Sequence, residues 1–138
     1  MQKRKLGKSG IEVNPLGMGC WAIGGYFILD GMPDGYGKVN DEESIKAITM
    51  AVDMGIDFFD TSDVYGTGHS EEILGKALEG KRNEVVIATK FGFTYDSTKR
   101  EITGTDFSKD YVKWACEQSM KRLKTNYIDL YQLHLSEI

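Results

Sequence analysis

Four polar side chains, Asp60, Tyr65, Lys90 and His134, stand at or beside the ends of apolar runs and are of types that together can move a proton. A phenol ionises near pH 10 in water, at about the value where it is a poor acid for neutral solution, unless a cation beside it stabilises the phenolate. Lys90 could supply that cation, Asp60 could hold Lys90 by a charged hydrogen bond, and His134 could orient a carbonyl oxygen or help pass a proton. Tyr65 follows Asp60 closely enough for its ring to reach back over the same strand end. Taken singly, each has a plainer reading. Asp60 could be a turn cap, Tyr65 a loop anchor, Lys90 a solvated strand end and His134 a core histidine with its partners satisfied.

What brings the four together is the order of elements around them. Asn40 with Glu43 three residues later has the spacing of a capping box, and Ile45, Ile48 and Val52 then recur at helical spacing until Gly55 ends the pattern. Residues 56–60 follow as a short strand. Ser70 is expected to cap a second helix, with Ile73, Leu74, Ala77 and Leu78 on one face and Gly80 at its end. Residues 84–90 form the clearest strand, a β-branched run bounded by charges. Ser108 is expected to cap a third helix through Leu123, whose inward side is Val112, Ala115, Cys116, Ser119 and Leu123. Residues 127–134 are the fourth strand, and alternation puts His134 on the side of Gln132 and Leu130.

Ahead of these, residues 3–13 predict a small β-hairpin closed by Pro15, and residues 16–21 a first strand of the main sheet. Residues 24–38 and 91–107 hold neither a helical nor a strand period and read as loops. The order β, α, β, α, β, α, β with helical crossovers predicts an α/β fold on a parallel sheet. A doubly wound sheet and a barrel both satisfy this pattern, although no G-x-G-x-x-G turn follows any strand. In a (β/α)8 barrel the C-terminal strand ends form the active face, where Asp60, Lys90 and His134 would converge.

Composition narrows the partners. A chain of 138 residues suits one domain, residues 1–138, with its own core. The formal charge of −4 and the scattered basic residues argue against nucleic acid, and no apolar run is long enough for a membrane span. Cys20 and Cys116 lie far apart and outside any C-x-x-C pattern, which predicts reduced thiols with no disulfide framework and no metal. The basic N-terminus is not followed by the apolar core of a secretory signal, so the expected location is cytoplasmic.

Residues 57–66, followed by His69, Ser70 and Glu71, resemble the aldo-keto reductase family, as do residues 86–90 and 128–134, in matching order and spacing. The resemblance runs from Leu6 to His134. It implies a TIM (β/α)8 barrel and the NADP(H)-dependent reduction of a small-molecule aldehyde or ketone. Tyr65 would be the general acid, Lys90 and Asp60 would tune it, and His134 would position the carbonyl. Gly19, Cys20 and Trp21, with Asp60, would lie beside the nicotinamide, and Trp21, Tyr65 and His134 would contact the substrate. Cys20 is expected to contribute its backbone rather than act as a nucleophile, and His69 to be a loop residue near the second helix.

A whole barrel takes about 250 residues, so the chain is expected to be a half-barrel, the first four strands of one. A Gly-Val-Ser-Asn-like cofactor segment is not found, and residues 135–138 replace the Pro-Asp-like pair of many relatives. Two readings stay open on this ground. One is a reductase completed by a missing C-terminal half or by a homo-oligomer that covers the strand edges. The other is a catalytically inactive fragment, a cofactor-sensing or interaction subunit.

Overall fold

The computed structural model describes residues 2–134, so the departure noted at 135–138 lies outside the described residues. The expected N-terminal hairpin is present: β1 (Arg4–Lys5) pairs antiparallel with β2 (Glu12–Val13), Lys5 opposite Glu12. Asp57 ties it to the body of the chain, accepting the Asn14 N–H at 2.7 Å on one oxygen and the Lys3 ammonium at 2.9 Å on the other.

The elements that follow are β3 (Met18–Gly19), the short α1 (Trp21–Gly24), β4 (Tyr26–Leu29), β5 (Met32–Gly35), α2 (Asp41–Asp53) and β6 (Phe58–Asp60). Next come α3 (His69–Ala77), β7 (Val86–Phe91), β8 (Phe93–Asp96), β9 (Glu101–Thr105), α4 (Lys109–Arg122) and β10 (Leu130–Leu133). Strands β3, β6, β7 and β10 form one parallel sheet in chain order, each beside its predecessor. Gly19 lies opposite Asp60, Asp60 opposite Ala88, and Lys90 opposite Gln132. Residues opposed across a ladder share a face, so Gly19, Asp60, Lys90 and Gln132 stand on one side of the sheet. Asp129 pins the start of β10 against β7 by accepting Arg82 at 2.6 Å and the Ile87 N–H at 2.9 Å.

The other face carries the core. Phe59 and Ile87 are buried there with Ile48 of α2, Ile73 and Leu74 of α3, and Leu123 just past α4. Full burial of side chains of this size contributes about 1.5–3 kcal/mol each. α2 begins as its pattern predicts, with the Asn40 side chain accepting the N–H groups of Glu42 and Glu43 and three acidic residues in the first turn, where the helix dipole favours them. α4 begins at the expected cap, Ser108, which accepts the Tyr111 N–H, and Ala115 and Ser119 face inward.

Four expectations are corrected. Ser70 does not cap α3: the helix starts at His69, behind Gly68 at φ 101°, and the Ser70 hydroxyl turns into the core instead. His69 is thus helical, with its Nε2 2.8 Å from Asp41 Oδ1. The first main strand is shorter than residues 16–21, because Trp21 already begins α1. Most consequentially, the two stretches read as loops are hairpins. β4 and β5 join through Asp30 and Gly31, both at positive φ, the two-residue turn whose twist matches paired strands. β8 and β9 join through a turn in which Asp96 Oδ1 accepts the N–H groups of Thr98 and Lys99. The parallel pairing of Ile28 with Glu101 fuses both hairpins into a second sheet, order β5-β4-β9-β8.

Candidate active site

Strand order and register deliver the four polar residues to one place. Lys90 Nζ lies 2.6 Å from Asp60 Oδ1, 2.8 Å from the Thr61 carbonyl oxygen and 3.2 Å from the Tyr65 hydroxyl. Its three protons therefore have three acceptors, as a side chain only 14% exposed requires. The Tyr65 ring stands edge-on to His134 at 5.5 Å between centroids and tilted to Trp21 at 6.2 Å. All four sequence-derived candidates are in contact, and Trp21 joins them.

His134 continues the β10 ladder, donating its N–H to the Phe91 carbonyl at 2.8 Å. Burial pushes the imidazole down to about 4, the Lys90 charge adds to the effect, and Asp60 opposes it. The ring is therefore neutral at pH 7. Ser62, which sequence reasoning passed over as part of a polar run, sits 2.9 Å from His134 Nδ1 and 3.2 Å from Asp63 Oδ1. The Ser62 hydroxyl donates to Asp63, and its oxygen faces His134 Nδ1.

Gly19 and Cys20 flank this group on the β3 side. The Cys20 N–H donates to the Asp60 carbonyl at 2.8 Å, and its own carbonyl accepts the Ser70 hydroxyl at 2.7 Å. Burial, reinforced by Asp60, pushes the thiol up to about 12, which removes it as a nucleophile at neutral pH. Ser70 also meets Thr61 at 2.9 Å, so one buried hydroxyl couples α3, β3 and the strand end that bears Asp60.

Behind the site lies a charged network that sequence reasoning did not find. Glu71, wholly buried, accepts Arg122 at 2.7 Å and the Thr89 hydroxyl at 2.5 Å, joining α3 and α4 to the residue beside Lys90. Asp63 shares this buried space. Its burial and the Glu71 charge push its carboxyl from the ordinary 3.8 up to about 7, with Arg122 opposing. Folded and unfolded chains both hold the Asp63 proton below pH 4, so its burial is then uncharged. Between about pH 4 and 7 the unfolded chain has released the proton while the folded one keeps it, and stability falls as pH rises. His134, with a lowered value, contributes the opposite slope between about 4 and 6.5. Asp63→Asn is accordingly expected to match the wild type near pH 4 and to gain relative stability up to pH 7, with a ceiling of about 4 kcal/mol. Thermal melts across this range test it, and a stability difference that does not change with pH contradicts it.

The rings of Trp21 and Tyr65 open onto a cavity of about 250 Å³ that also reaches His134 and Val64. Its remaining wall is the second sheet: Phe27, Leu29 and Asp34 from β4 and β5, Phe93 and Ile102 from β8 and β9. These residues were invisible as candidates while their segments read as loops. On the inner face of β10, Gln132 Oε1 is buried with no hydrogen-bond partner among the described residues. Among the described residues no cluster of three or more metal-ligating side chains occurs, and no helix is long and apolar enough to cross a membrane.

A model of the aldo/keto reductase family matches residues 15–137. The aldo-keto reductase YhdN of Bacillus subtilis is 38% identical over 136 residues, covering 97% of this chain and 38% of that protein. Among solved structures, the holo form of an aldo-keto reductase from Bacillus halodurans matches with a TM-score of 0.82 and 35% identity, over 96% of this chain and 40% of that one. An aldo-keto reductase from Klebsiella pneumoniae in complex with NADPH matches with a TM-score of 0.70 and 26% identity, over 100% of this chain and 41% of that one. The chain thus spans about two fifths of the length of the proteins it matches.

Proposed function

Since the chain belongs to the aldo/keto reductase family, with its four parallel strands the leading part of a (β/α)8 barrel, we propose that it serves the NADP(H)-dependent reduction of an aldehyde or ketone to an alcohol. The observation that carries the reading is the chain Asp60, Lys90, Tyr65, in which a shielded ammonium touches both a carboxylate and a phenol.

The residues present suit a nicotinamide. A Cβ placed on Gly19 would meet nothing within 4 Å among the described residues, which leaves room over the strand end, and the Gln132 oxygen, without a partner among those residues, is on the same side of the sheet. Gly19, Cys20 and Trp21, with Asp60, are the residues we assign to hold the ring there. The bound dinucleotide would supply a hydride to the carbonyl carbon. Tyr65 supplies the proton, giving it to the carbonyl oxygen as negative charge develops there. Lys90 stabilises the phenolate left behind, and Asp60 keeps the ammonium aimed at the phenol rather than at water. His134 is neutral and edge-on to Tyr65, which suits it to position the carbonyl beside the phenol without competing as an acid. Trp21 closes the apolar side of the substrate space.

The test is carbonyl-dependent consumption of NADPH, followed by absorbance, beside NADPH binding followed by its fluorescence. In a complete barrel built on this chain, consumption that needs both the carbonyl compound and the protein is the expected result, whereas the 138 residues alone are expected to turn over little or nothing. In that complete barrel, NADPH binding without any carbonyl-dependent consumption would overturn the proposal.

A further inference from the structure

The second sheet presents a distinct chemical face to the site. In the β4–β5 pair Phe27 lies opposite Asp34, so both point to the same side, together with Leu29 two residues on. Ile28 points to the other side and takes its partner Glu101 with it, which turns Ile102 back toward Phe27. Phe27, Leu29, Asp34 and Ile102 all line the cavity that reaches Tyr65 and His134. Among the described residues, every other lining group is apolar, aromatic or, in His134, neutral at pH 7, and Asp34 is the one carboxylate in the wall.

That carboxylate is held and unspent. Its Oδ1 accepts the Gly35 N–H at 2.6 Å, which fixes its orientation at the strand end. Among the described residues no Lys, Arg or His nitrogen forms an ion pair with it. Arg100, at the turn before β9, stacks on Tyr26 at 5.1 Å from the ring centroid. Lys90 is taken up by Asp60, Thr61 and Tyr65. Half-buried, and sharing the cavity wall with Phe27, Trp21 and Phe93, Asp34 completes the combination that recognises an organic cation: a carboxylate among aromatic rings.

We propose that this cavity selects a compact carbonyl compound carrying a positively charged nitrogen, and that Asp34 is the specificity-determining residue, favouring such compounds over carboxylate-bearing ones. An apolar cavity of about 150 Å³ accommodates benzene, so 250 Å³ accommodates one ring or a short branched chain with its charged group. The term substrate rests on the carbonyl-reductase reading, whereas the charge preference of the cavity does not.

Benzyltrimethylammonium and benzoate, similar in ring and opposite in charge, are titrated by calorimetry against wild-type protein, Asp34→Asn and Asp34→Glu. The wild type is expected to bind the cation about tenfold or more tightly than the anion, equivalent to about 1.4 kcal/mol. Asp34→Asn loses that preference to within about twofold, and Asp34→Glu keeps its sign. Equal affinities in the wild type, or a preference that survives in Asp34→Asn, overturn the proposal. Turnover of benzaldehyde, which has no charge, is measured alongside in a complete barrel built on this chain. A cation preference without benzaldehyde reduction sinks the reductase reading and leaves the selective cavity standing. Benzaldehyde reduction without a charge preference does the reverse.

Discussion

In an intact barrel, replacing Tyr65 by phenylalanine is expected to lower carbonyl turnover by about 10²–10⁴-fold, the range for removing a positioned acid, while NADPH affinity stays within a small factor of the wild type. The ring contacts survive the change, since Trp21 at 6.2 Å and His134 at 5.5 Å touch the ring and not the hydroxyl. Lys90 also survives it, because Asp60 and the Thr61 carbonyl remain as acceptors at 2.6 and 2.8 Å. What disappears is the proton delivered in the transition state, an interaction the ground state makes little use of. The loss should therefore fall on kcat and on kcat/KM alike, with KM nearly unmoved. Steady-state kinetics with a neutral aldehyde decides the matter. A rise in KM with kcat intact would make Tyr65 a wall of the pocket and nothing more.

Asp60, Lys90 and His134 were legible in the sequence because each stands at the end of an apolar strand, and parallel strands in chain order bring such ends together. The register, Gly19 opposite Asp60 and Lys90 opposite Gln132, puts these ends on one face. The supporting network was not legible, because nothing in a sequence shows that Glu71, in the first turn of one helix, faces Arg122 in the last turn of another. Ser62 stayed hidden for a related reason: its partner, His134, is 72 residues away.

The second sheet was hidden by its own composition. Glycine, proline and aspartate between residues 24 and 38 suppress any strand period, yet Asp30 followed by Gly31 is the strongest short hairpin signal a sequence carries. Reading that pair as a turn between Leu29 and Met32 would have placed Phe27 and Asp34 opposite each other, and with them one wall of the cavity. Ser70 misled in the opposite direction. Its type fits a cap, but the turn before α3 is made by Gly68, so the serine falls one residue inside the helix and its hydroxyl serves the core.

Gly66→Ala is expected to cost about 2–4 kcal/mol and about 10²-fold in turnover, although residue 66 touches no reacting group. Gly66 has φ +63°, and a Cβ there would lie 1.9 Å from the Gly24 carbonyl oxygen and 2.7 Å from its carbon. The contact is reciprocal, since a Cβ on Gly24 would meet the Tyr65 carbonyl carbon at 2.7 Å and its oxygen at 2.8 Å. Two backbones approach at these glycines, and the approach sets Trp21, at the start of α1, beside Tyr65. Neither side can yield cheaply, because Trp21 packs edge-on to Tyr36 at 5.2 Å and Tyr65 is held through Lys90. The left-handed conformation accounts for about 1 kcal/mol of the cost and overpacking against backbone for about 1–3 more. Parting the chains by roughly 1 Å would carry the Tyr65 hydroxyl off the Lys90 ammonium, and a misplacement of that size costs about 10²-fold. Gly80 separates the two contributions: it has φ +80° with nothing within 4 Å of a Cβ, so Gly80→Ala should lose about 1 kcal/mol and no turnover. Thermal melts and kcat for the pair of variants distinguish them. If Gly66→Ala behaves like Gly80→Ala in both, the close approach is not what positions the phenol.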